Sequence, residues 1–509
     1  MLSSVQLPAV VDWLRAVAPA AHLSADSRRI VAGDVFFAFP GDTADGRDFI
    51  EHAVRNQAAA IVYEEQGFVW NQSWMLPHLP VSGLKQSAGL IANQFYRQPD
   101  DAMFVAAVTG TNGKTSCSQW LAAAFSAQGP AAVIGTLGVG VFRQGQCEQF
   151  DGTGYTTPDA LQLQRALAAM RDAGVAALAI EASSIGLDQG RMNGIHIDAA
   201  LFTNLSRDHL DYHGDMAAYE SAKNILFDWP GLRHAIVNLD DPMGPRLLRR
   251  LAARSPTVAI TGYTVDDNAA QGIPVLRASA LRSQPSGTAF QLDSPFGSAL
   301  VKTRLLGRFN VSNALGVLAV LLAQGVPWDA ALLMLESLAP VVGRMQQLGG
   351  EDAPLIVIDY AHTPDALAKA LATLRPVAQQ RGGQLWCVFG CGGDRDPGKR
   401  PQMGAAAQAA DRIVLTSDNP RSESAPDILA QILAGMQTGI GDTDQPQMIE
   451  DRAAAILWAI KHAARRDVIL LAGKGHETYQ EVGGKKLPFL DADHAALALA
   501  ARATMKGSV

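Results

Sequence analysis

One short stretch limits the possible folds of this 509-residue chain more than any other: Thr-Gly-Thr-Asn-Gly-Lys-Thr at residues 109–115. An apolar run at residues 103–108 precedes it, and a helix-compatible segment at residues 114–127 follows it. A strand, a glycine turn and a helix start form a phosphate cradle, in which backbone N–H groups, a lysine and a threonine hydroxyl meet a magnesium-bound nucleotide. The alternative is a chance glycine turn before a helix. The pattern predicts ATP or GTP, bound by Gly110, Thr111, Asn112, Gly113, Lys114, Thr115 and Ser116.

Composition narrows the class of protein. Apolar residues make up 48% of the chain, enough for several hydrophobic cores, and the length suggests about three domains. Charged residues make up 18% and the net charge is −7, so we expect no nucleic-acid partner, which would require a basic face. We also expect no membrane span and no secretory leader, and therefore a cytoplasmic protein. The four cysteines are too scattered for a disulfide framework or a four-thiolate zinc site.

The order of apolar runs and turns predicts three α/β domains. Residues 1–100 alternate short apolar runs with turns, which indicates a small α/β domain. Residues 101–343 repeat strand and helix, so we predict a mostly parallel sheet with the phosphate loop after an early strand. Within this domain, residues 275–306 read as short strands with turns at 285–287 and 295–297. The alternation of strand-like and helix-like segments begins again in residues 344–509, which predicts a Rossmann-like C-terminal domain.

Polar side chains follow two apolar runs of the central domain. Glu181 comes directly after the run at residues 175–180, and a segment containing His209 and His213 follows the run at 199–202. Ligands gather at the carboxyl ends of parallel strands, and magnesium favours carboxylates together with phosphate oxygens. Glu181 is therefore a candidate magnesium ligand, with a helix cap or a solvated carboxylate as the alternative. Lys223 lies in a helical stretch and is by itself best explained as a solvated lysine.

Four polar clusters follow the strands of the C-terminal domain, at residues 359–365, 390–396, 417–423 and 473–477. The guanidinium groups of Arg395 and Arg421 suit a carboxylate, and the carboxylates of Asp418 and Glu477 suit an ammonium. Together these groups would fit an amino acid. In the N-terminal domain, Asp26, Ser27 and Arg28 place an acceptor, a hydroxyl and a cation in one turn. By themselves they are a weak sign of a binding site, and a solvated turn is the simpler explanation.

Five motifs taken together resemble the Mur ligases, the ATP-dependent amide-forming enzymes of peptidoglycan synthesis. They are Thr-Gly-Thr-Asn-Gly-Lys-Thr at 109–115, Glu-Ala-Ser-Ser at 181–184, Asn-Leu-Ser-Arg-Asp-His-Leu-Asp-Tyr-His at 204–213, Gly-Arg-Phe-Asn at 307–310 and Asp-Tyr-Ala-His at 359–362. Within the family, Asp-Asn-Pro-Arg at 418–421 is similar to the motif of members that add meso-diaminopimelate, rather than lysine, to UDP-N-acetylmuramoyl-L-alanyl-D-glutamate. An arginine suits diaminopimelate because this amino acid carries a second carboxylate.

The resemblance implies roles for the matching residues. Lys223 matches a lysine that becomes carbamylated, which turns its cation into an anion able to ligate magnesium, and Lys114 and His209 match catalytic positions. The implied magnesium ligands are Thr115, Glu181, His209 and Lys223, and the implied ATP-pocket residues include Asn313, Asp359 and His362. The implied substrate positions are Ser27, Thr156, Thr157, Ser183, Gln189 and Arg191 for the UDP-muramoyl group, and Arg395, Asp418, Asn419, Pro420, Arg421, Gly473 and Glu477 for diaminopimelate.

Two residues depart from the family pattern. Ile185 stands where many relatives have histidine, so a role for an imidazole there does not transfer. Tyr155 replaces a common asparagine before the threonine pair, which affects one substrate contact.

The resemblance also implies a reaction in the cytoplasmic synthesis of peptidoglycan precursors. ATP phosphorylates the D-glutamyl γ-carboxylate, and the amine of diaminopimelate then attacks the acyl phosphate. The N-terminal domain would hold the UDP group, the central domain ATP and the C-terminal domain the amino acid, in a monomer that closes during turnover. The alternatives are a lysine-adding ligase or a folylpolyglutamate synthetase of the same superfamily, and a regulatory switch that hydrolyses ATP and binds a protein partner.

Overall fold

The computed structural model describes residues 6–42, 44–152, 154–254, 257–268, 270–284, 287–436 and 445–506. Their strands form three larger sheets and one two-stranded hairpin, with helices packed around the larger sheets. The α/β architecture predicted from the sequence is confirmed. No helix in the described part of the chain has both the length and the apolar character needed to cross a membrane.

The N-terminal sheet is entirely parallel. Its strands are β1 (Leu23–Ser24), β2 (Val35–Ala38), β3 (Ala60–Glu64) and β4 (His78–Val81), and its helices are α1 (Gln6–Val17), α2 (Ile50–Arg55) and α3 (Leu84–Phe95). Successive side chains of β2 enter opposite cores: Val35 and Phe37 pack with α1 and α3, whereas Phe36 packs with α2. Helices therefore cover both faces, which explains why this strand is apolar throughout.

The central sheet contains eleven strands. They are β5 (Phe104–Thr109), β6 (Ala131–Gly135), β7 (Gly138–Arg143), β8 (Gln146–Asp151), β9 (Ala177–Glu181), β10 (Ala199–Phe202), β11 (His234–Asn238), β12 (Ala259–Thr264), β13 (Val275–Gln284), β14 (Gly287–Ser294) and β15 (Gly297–Thr303). The helices are α4 (Lys114–Phe125), α5 (Ala160–Asp172), α6 (Ser184–Asp188), α7 (Leu210–His213), α8 (Met216–Asn224), α9 (Met243–Arg254), α10 (Arg308–Ala323) and α11 (Trp328–Ser337).

The strand order of this sheet is β15-β14-β13-β12-β11-β10-β5-β9-β6-β7-β8. The seven strands from β13 to β6 run parallel, and antiparallel strands extend both edges. The mostly parallel sheet is thus confirmed. The short strands predicted within residues 275–306 are β13, β14 and β15. Of the two turns predicted there, 295–297 joins β14 to β15, whereas 285–286 lies outside the described residues.

The central sheet is covered on both faces. In β5, Ala106 and Val108 pack against α4 and α10, whereas Val105 and Ala107 pack in the opposite core with α5 and α9. A strand buried on both sides reads as a continuous apolar run, which is the signal that the sequence carries before the phosphate loop. The loop therefore begins at a rigid, fully buried strand.

The C-terminal domain contains a six-stranded sheet and the hairpin. The strands are β16 (Gln346–Gly349), β17 (Leu355–Asp359), β18 (Leu385–Phe389), β19 (Arg412–Leu415), β20 (Gln447–Met448), β21 (Val468–Ala472), β22 (Tyr479–Val482) and β23 (Lys485–Pro488). The helices are α12 (Pro364–Arg381), α13 (Lys399–Ala407), α14 (Ala425–Leu433), α15 (Arg452–His462) and α16 (Asp491–Lys506). The sheet order is β16-β17-β21-β18-β19-β20, and only the β16–β17 pair of this sheet is antiparallel.

Strand order determines which polar segments meet. In the central sheet β5 lies between β10 and β9, so the phosphate loop, Glu181 and the segment after residue 202 share one edge. In the C-terminal sheet β17, β21, β18 and β19 are successive neighbours, so all four polar clusters predicted there also share one edge. The carboxyl ends of parallel strands thus form two polar edges, as expected for this class of sheet.

Candidate functional site

The phosphate loop has the backbone conformation that an anion cradle needs. Gly110 and Gly113 adopt positive φ angles of 149° and 88°, which side chains disfavour, and Gly113 caps the amino end of α4. Lys114 Nζ donates to the carbonyl oxygens of Gly110 and Thr111 at 2.8 and 2.9 Å. Burial lowers the pKa of Lys114. The loop therefore presents helix N–H groups and a partly desolvated cation at one point.

The segment after β10 supports this loop from the side. Thr203 Oγ1 and Asn204 Nδ2 donate to the carbonyl oxygen of Asn112 at 2.6 and 3.0 Å, and Asn204 Oδ1 accepts from the N–H of Asn112 at 3.0 Å. The N–H of Thr111 donates to the Asn204 carbonyl. Sequence reasoning did not identify Thr203 or Asn204 individually, although their position at a strand end was the available signal.

Glu181 is fully buried at the end of β9 and faces the start of α4. Its carboxylate accepts from Thr115 Oγ1 at 3.2 Å, from the N–H of Thr136 at 2.8 Å and from Thr136 Oγ1 at 3.1 Å. A Cβ on Gly135 would overlap this carboxylate, so the glycine leaves room for it. The arrangement joins a hydroxyl and a buried carboxylate, the oxygen donors that magnesium prefers beside a phosphate.

A second group of titratable side chains lies beside the phosphate loop. Lys223 on α8 is buried, and its ammonium lies 4.3 Å from the centroid of the Tyr219 ring. Burial and the neighbouring charge of Lys114 hold the pKa of Lys223 well below its usual range. His209 lies 3.5 Å from Asp208 through Nε2 and Oδ2, and burial lowers the pKa of His209. A solvated Lys223, which the sequence alone favoured, is therefore wrong.

A cavity of about 230 Å³ lies between the central and C-terminal domains. Arg344 crosses this boundary: its Nη2 donates to Thr115 Oγ1 at 3.2 Å, and its guanidinium lies 4.5 Å from the centroid of the Tyr360 ring. Sequence reasoning did not identify Arg344. Six predicted nucleotide residues line the same cavity: Asn112, Gly113, Ser116, Asn313, Asp359 and His362.

Two of these residues extend from the end of β17. Asp359 Oδ2 accepts from the N–H of Met345 at 2.9 Å, and burial raises the pKa of Asp359. His362 Nδ1 lies 2.7 Å from the carbonyl oxygen of Tyr360, and burial lowers the pKa of His362. The C-terminal domain thus supplies one wall of a cavity whose other wall is the phosphate loop.

Most residues predicted to hold the UDP-muramoyl substrate form one network. Thr157 Oγ1 lies 2.9 Å from Ser183 Oγ and donates to the carbonyl oxygen of Glu181, while Arg191 Nη1 donates to the Thr157 carbonyl at 3.0 Å. Arg191 Nε also donates to Gln189 Oε1 at 2.8 Å. This network joins the predicted substrate residues to the candidate magnesium ligand, Glu181.

Three further positions complete the description of this region. Thr156 Oγ1 lies 3.2 Å from Thr136 Oγ1, next to the Glu181 carboxylate. The ring of Tyr155 stacks against the guanidinium of Arg191, 4.9 Å from the ring centroid. Ser27 lies apart from the network, buried in a short 3-10 turn, where its Oγ is 3.0 Å from His52 Nδ1.

The C-terminal acidic residues already surround a cation. Lys474 is fully buried, and its Nζ lies 2.9 Å from Glu477 Oε2, 3.1 Å from Asn419 Oδ1 and 3.7 Å from Asp418 Oδ1. Burial raises the pKa of Asp418; burial also acts to raise that of Glu477, but Lys474 and Asn419 bring the pKa of Glu477 below its usual value. A Cβ on Gly473 would lie 2.6 Å from Asp418 Oδ2. Sequence reasoning did not identify Lys474 as their partner.

The two arginines predicted to bind a carboxylate differ in setting. Arg421 follows Pro420, has a positive φ of 53°, donates from Nη1 to the carbonyl oxygen of Gly393 at 2.7 Å and lies 3.4 Å from Glu481 through Nε. Arg395 is exposed on the loop after β18. Arg421 is therefore held by its neighbours, whereas Arg395 faces solvent.

Comparison with known proteins agrees with this arrangement. Three family models match the chain: "Mur ligase family, catalytic domain" at residues 20–96, "Mur ligase middle domain" at 108–321 and "Mur ligase, glutamate ligase domain" at 343–475. UDP-N-acetylmuramoyl-L-alanyl-D-glutamate--2,6-diaminopimelate ligase of Janthinobacterium sp. (strain Marseille) is 61% identical, covering 100% of this chain and 99% of the relative. The protein of the same name from Ralstonia nicotianae is 52% identical, covering 98% and 97%.

The fold comparison points the same way. A solved structure of a UDP-N-acetylmuramoyl-L-alanyl-D-glutamate--2,6-diaminopimelate ligase is 37% identical and superposes with a TM-score of 0.67, covering 94% of both chains. Identity over the full length and a match to all three domain models lead to one conclusion: the chain belongs to the Mur ligase family.

Proposed function

We propose that this protein is the ATP-dependent ligase that joins meso-diaminopimelate to UDP-N-acetylmuramoyl-L-alanyl-D-glutamate. The observation that carries the proposal is the relative of that name, which is 61% identical over the whole chain. Two polar strand edges, one beside the phosphate loop and one with an arginine-bearing loop, give this activity a physical basis. The reaction would take place in the cytoplasm, where ATP is available. A monomer would suffice, because one chain supplies every proposed site residue.

In the proposed reaction, the γ-phosphoryl group of ATP passes to the γ-carboxylate of the D-glutamyl residue, which gives an acyl phosphate and ADP. The amine of diaminopimelate then attacks the acyl carbon and forms the amide bond. Phosphate leaves with the bridging oxygen, and the attacking nitrogen loses a proton to solvent. Lys114 would offset charge on the transferring phosphoryl group, and the N–H groups of the phosphate loop would orient it. The protein contributes position and electrostatics, with little covalent chemistry of its own.

The residues present fit magnesium. Thr115 and Glu181 offer a hydroxyl and a buried carboxylate 3.2 Å apart, and His209 and a carbamylated Lys223 would complete the ligand set. Bound magnesium would supply positive charge that offsets the phosphate oxygens. Among the described residues, no three His, Cys, Asp or Glu side chains are grouped to hold a metal alone, which suits an ion that relies on substrate phosphates and water.

Carbamylation of Lys223 requires a neutral amine, since the nitrogen lone pair attacks carbon dioxide and a proton is released. The lowered pKa of Lys223, caused by burial and by Lys114, favours this neutral form. The product is an anion beside Lys114, where the ammonium form would repel that neighbour. This is the physical support for a carbamate derived from carbon dioxide at this position.

We propose a separate substrate role for each domain. Residues 1–100, with Ser27, would bind the UDP group, residues 101–343 would bind ATP and the muramoyl peptide, and residues 344–509 would bind diaminopimelate. The amino-acid positions are Arg395, Asp418, Asn419, Pro420, Arg421, Gly473 and Glu477. Because Lys474 already occupies the space between Asp418 and Glu477, we assign Asp418 to support of the pocket and Glu477 to the ligand ammonium, through its second oxygen.

The assignment is tested by phosphate release from the purified protein with ATP, magnesium and the UDP-muramoyl dipeptide. Meso-diaminopimelate, L-lysine and no amino acid are compared. Release that requires diaminopimelate, together with the tripeptide product, is the expected result. Preference for L-lysine would keep the ligase but overturn its assignment to diaminopimelate. Phosphate release that depends on neither amino acid would favour the regulatory switch.

Arg421→Ala is expected to reduce kcat/KM for diaminopimelate by about a hundredfold, the scale of a lost charged hydrogen-bonding pair, while KM for ATP stays unchanged. The reason is that Arg421 would meet the carboxylate that lysine lacks. Steady-state kinetics with each substrate varied in turn measure both constants. The matched control is Arg412→Ala, since Arg412 is an exposed arginine at the first residue of β19, the strand that precedes the 418–421 loop. Equal losses for both substrates would remove Arg421 from amino-acid recognition.

A further inference from the structure

The hairpin of residues 479–488 lies against the loop of residues 418–421. Gln480 Nε2 donates to the carbonyl oxygen of Asp418 at 2.6 Å, and the N–H of Glu481 donates to Asn419 Oδ1 at 2.9 Å. Both bonds run from the first strand of the hairpin to the first two residues of the loop. The loop therefore accepts hydrogen bonds from a separate segment of the chain.

The hairpin also holds the last residue of the loop. The N–H of Arg421 donates to the carbonyl oxygen of Glu481 at 3.0 Å, and the N–H of Gly483 donates to the carbonyl oxygen of Arg421 at 2.7 Å. These two bonds form a parallel bridge between Arg421 and Val482. Three of the four loop residues are thus bonded to one short hairpin.

Arg421 needs this support because its backbone is strained. Its φ of 53° lies in the left-handed region, which a residue with a β-carbon adopts only where surrounding contacts compensate. Its guanidinium is fixed at two points, since Nη1 donates to Gly393 and Nε lies 3.4 Å from Glu481 Oε2. Glu481 therefore contacts Arg421 through both its backbone and its side chain.

The hairpin in turn depends on the loop. Its strands pair over only four residues each, β23 is exposed along its whole length, and a two-stranded hairpin alone is marginally stable in water. Gly483 and Gly484 both have positive φ angles, 56° and 73°, which suit the tight turn that joins two twisted strands. The hairpin and the loop therefore order each other.

We propose that the 479–488 hairpin is the second half of the amino-acid selectivity element, with Gln480 and Glu481 as positioning residues that aim Arg421 at the side-chain carboxylate of the amino acid. The inference rests on the proposed function, because it concerns how the same pocket separates diaminopimelate from lysine. Both residues would act through their contacts with the 418–421 loop. The selectivity for diaminopimelate over lysine thus depends on two segments about 60 residues apart, and not on the 418–421 motif alone.

The test compares Gln480→Ala, Glu481→Ala and their combination with the parent protein. Each single change is expected to lower kcat/KM for meso-diaminopimelate by about tenfold, the factor of one lost hydrogen bond for Gln480 and of one lost ion pair for Glu481. KM for ATP and for the UDP-muramoyl dipeptide should stay unchanged, and the ratio of diaminopimelate use to L-lysine use should fall. Lys485→Ala, on the exposed second strand, is the matched control and should remain within about twofold.

Hydrogen exchange supplies a readout that does not depend on activity. The amides of residues 419 and 421–423 should exchange faster in the two single variants and remain at the parent rate in Lys485→Ala, with the phosphate loop unchanged in all three. Faster exchange with unchanged selectivity would make the hairpin a purely structural support and overturn the proposal. Glu481→Gln, which keeps an acceptor oxygen near Arg421, should recover part of the selectivity lost in Glu481→Ala.

Two other outcomes would also overturn the proposal. Higher kcat/KM for diaminopimelate in Glu481→Ala would mean that Glu481 competes with the substrate for Arg421 rather than orienting it. Unchanged kinetic constants in the double variant would mean that the 418–421 loop keeps its conformation without these two contacts from the hairpin. Failure of the parent protein to use diaminopimelate at all would instead refute the proposed function, so the two failures are distinguishable.

Discussion

Lys223→Ala is expected to lower kcat by about a thousandfold or more, the scale on which removal of a preorganised charge in a water-excluded site affects turnover. Lys223 is buried, and burial together with the charge of Lys114 holds its pKa well below its usual range, although its ammonium lies 4.3 Å from the centroid of the Tyr219 ring. A carbamate at this position would instead supply an anion for magnesium. The variant loses that anion, and added bicarbonate has no amine to react with.

The measurement is kcat from phosphate release, with and without bicarbonate, for Lys223→Ala and Lys223→Arg. Arginine keeps the positive charge but forms no carbamate, so it should be as inactive as alanine. Removal of carbon dioxide should slow the parent protein, and bicarbonate should restore it. Lys302→Ala, an exposed lysine of the same domain, is the control. Full activity of Lys223→Ala would exclude Lys223 from the site, and an active Lys223→Arg would show that a cation is needed there.

Gly110→Ala is expected to weaken ATP binding by about a hundredfold, because the new β-carbon meets both backbone strain and a steric overlap. Gly110 has a φ of 149°, and an added Cβ would overlap Thr203 Oγ1 and lie 3.0 Å from the backbone N of Asn204. Relief of these contacts would push the phosphate loop away from the segment after β10, which holds the Asn112 carbonyl. The loop would then lose the shape that presents its N–H groups to phosphate.

Calorimetric titration with ATP and magnesium measures this effect directly. Gly129→Ala is a closely matched control, since Gly129 has a φ of 155° and an added Cβ there would meet no atom within 4 Å. Strain without overlap should leave ATP affinity unchanged in the control. ATP affinity of the parent level in Gly110→Ala would show that the loop does not bind the nucleotide.

The central sheet was predictable because its strands are buried on both faces. The apolar run at residues 199–202 became β10 with the predicted boundaries, since a continuous apolar run between turns suits a strand that is covered on both faces. The hairpin of β7 and β8 was missed. In β7 buried side chains alternate with partly buried or exposed ones, and the sequence of β8 is mostly polar, so no continuous apolar run marks the hairpin.

The candidate site was predictable to the extent that polar residues follow strands. Glu181 and Asp359 fall at strand ends, and parallel topology alone brings such positions together. Arg344 was missed because it is a single cation in an otherwise ordinary segment, and only the packing of two domains gives it a partner. Lys474 lies within the predicted polar cluster at 473–477, but its role as partner of Glu477 and Asp418 depends on the packing of two loops. Lys223 shows the same limit: the family resemblance singled it out, whereas helical periodicity alone pointed to solvent.

The acyl-phosphate reaction is tested most directly by oxygen transfer. The D-glutamyl γ-carboxylate of the UDP-muramoyl dipeptide is labelled with oxygen-18 at both oxygens, and the protein is supplied with ATP, magnesium and meso-diaminopimelate. The predicted result is one labelled oxygen in each phosphate released and one in each amide formed, because the bridging oxygen of the acyl phosphate leaves with phosphorus. Unlabelled phosphate released during amide formation would contradict the mechanism.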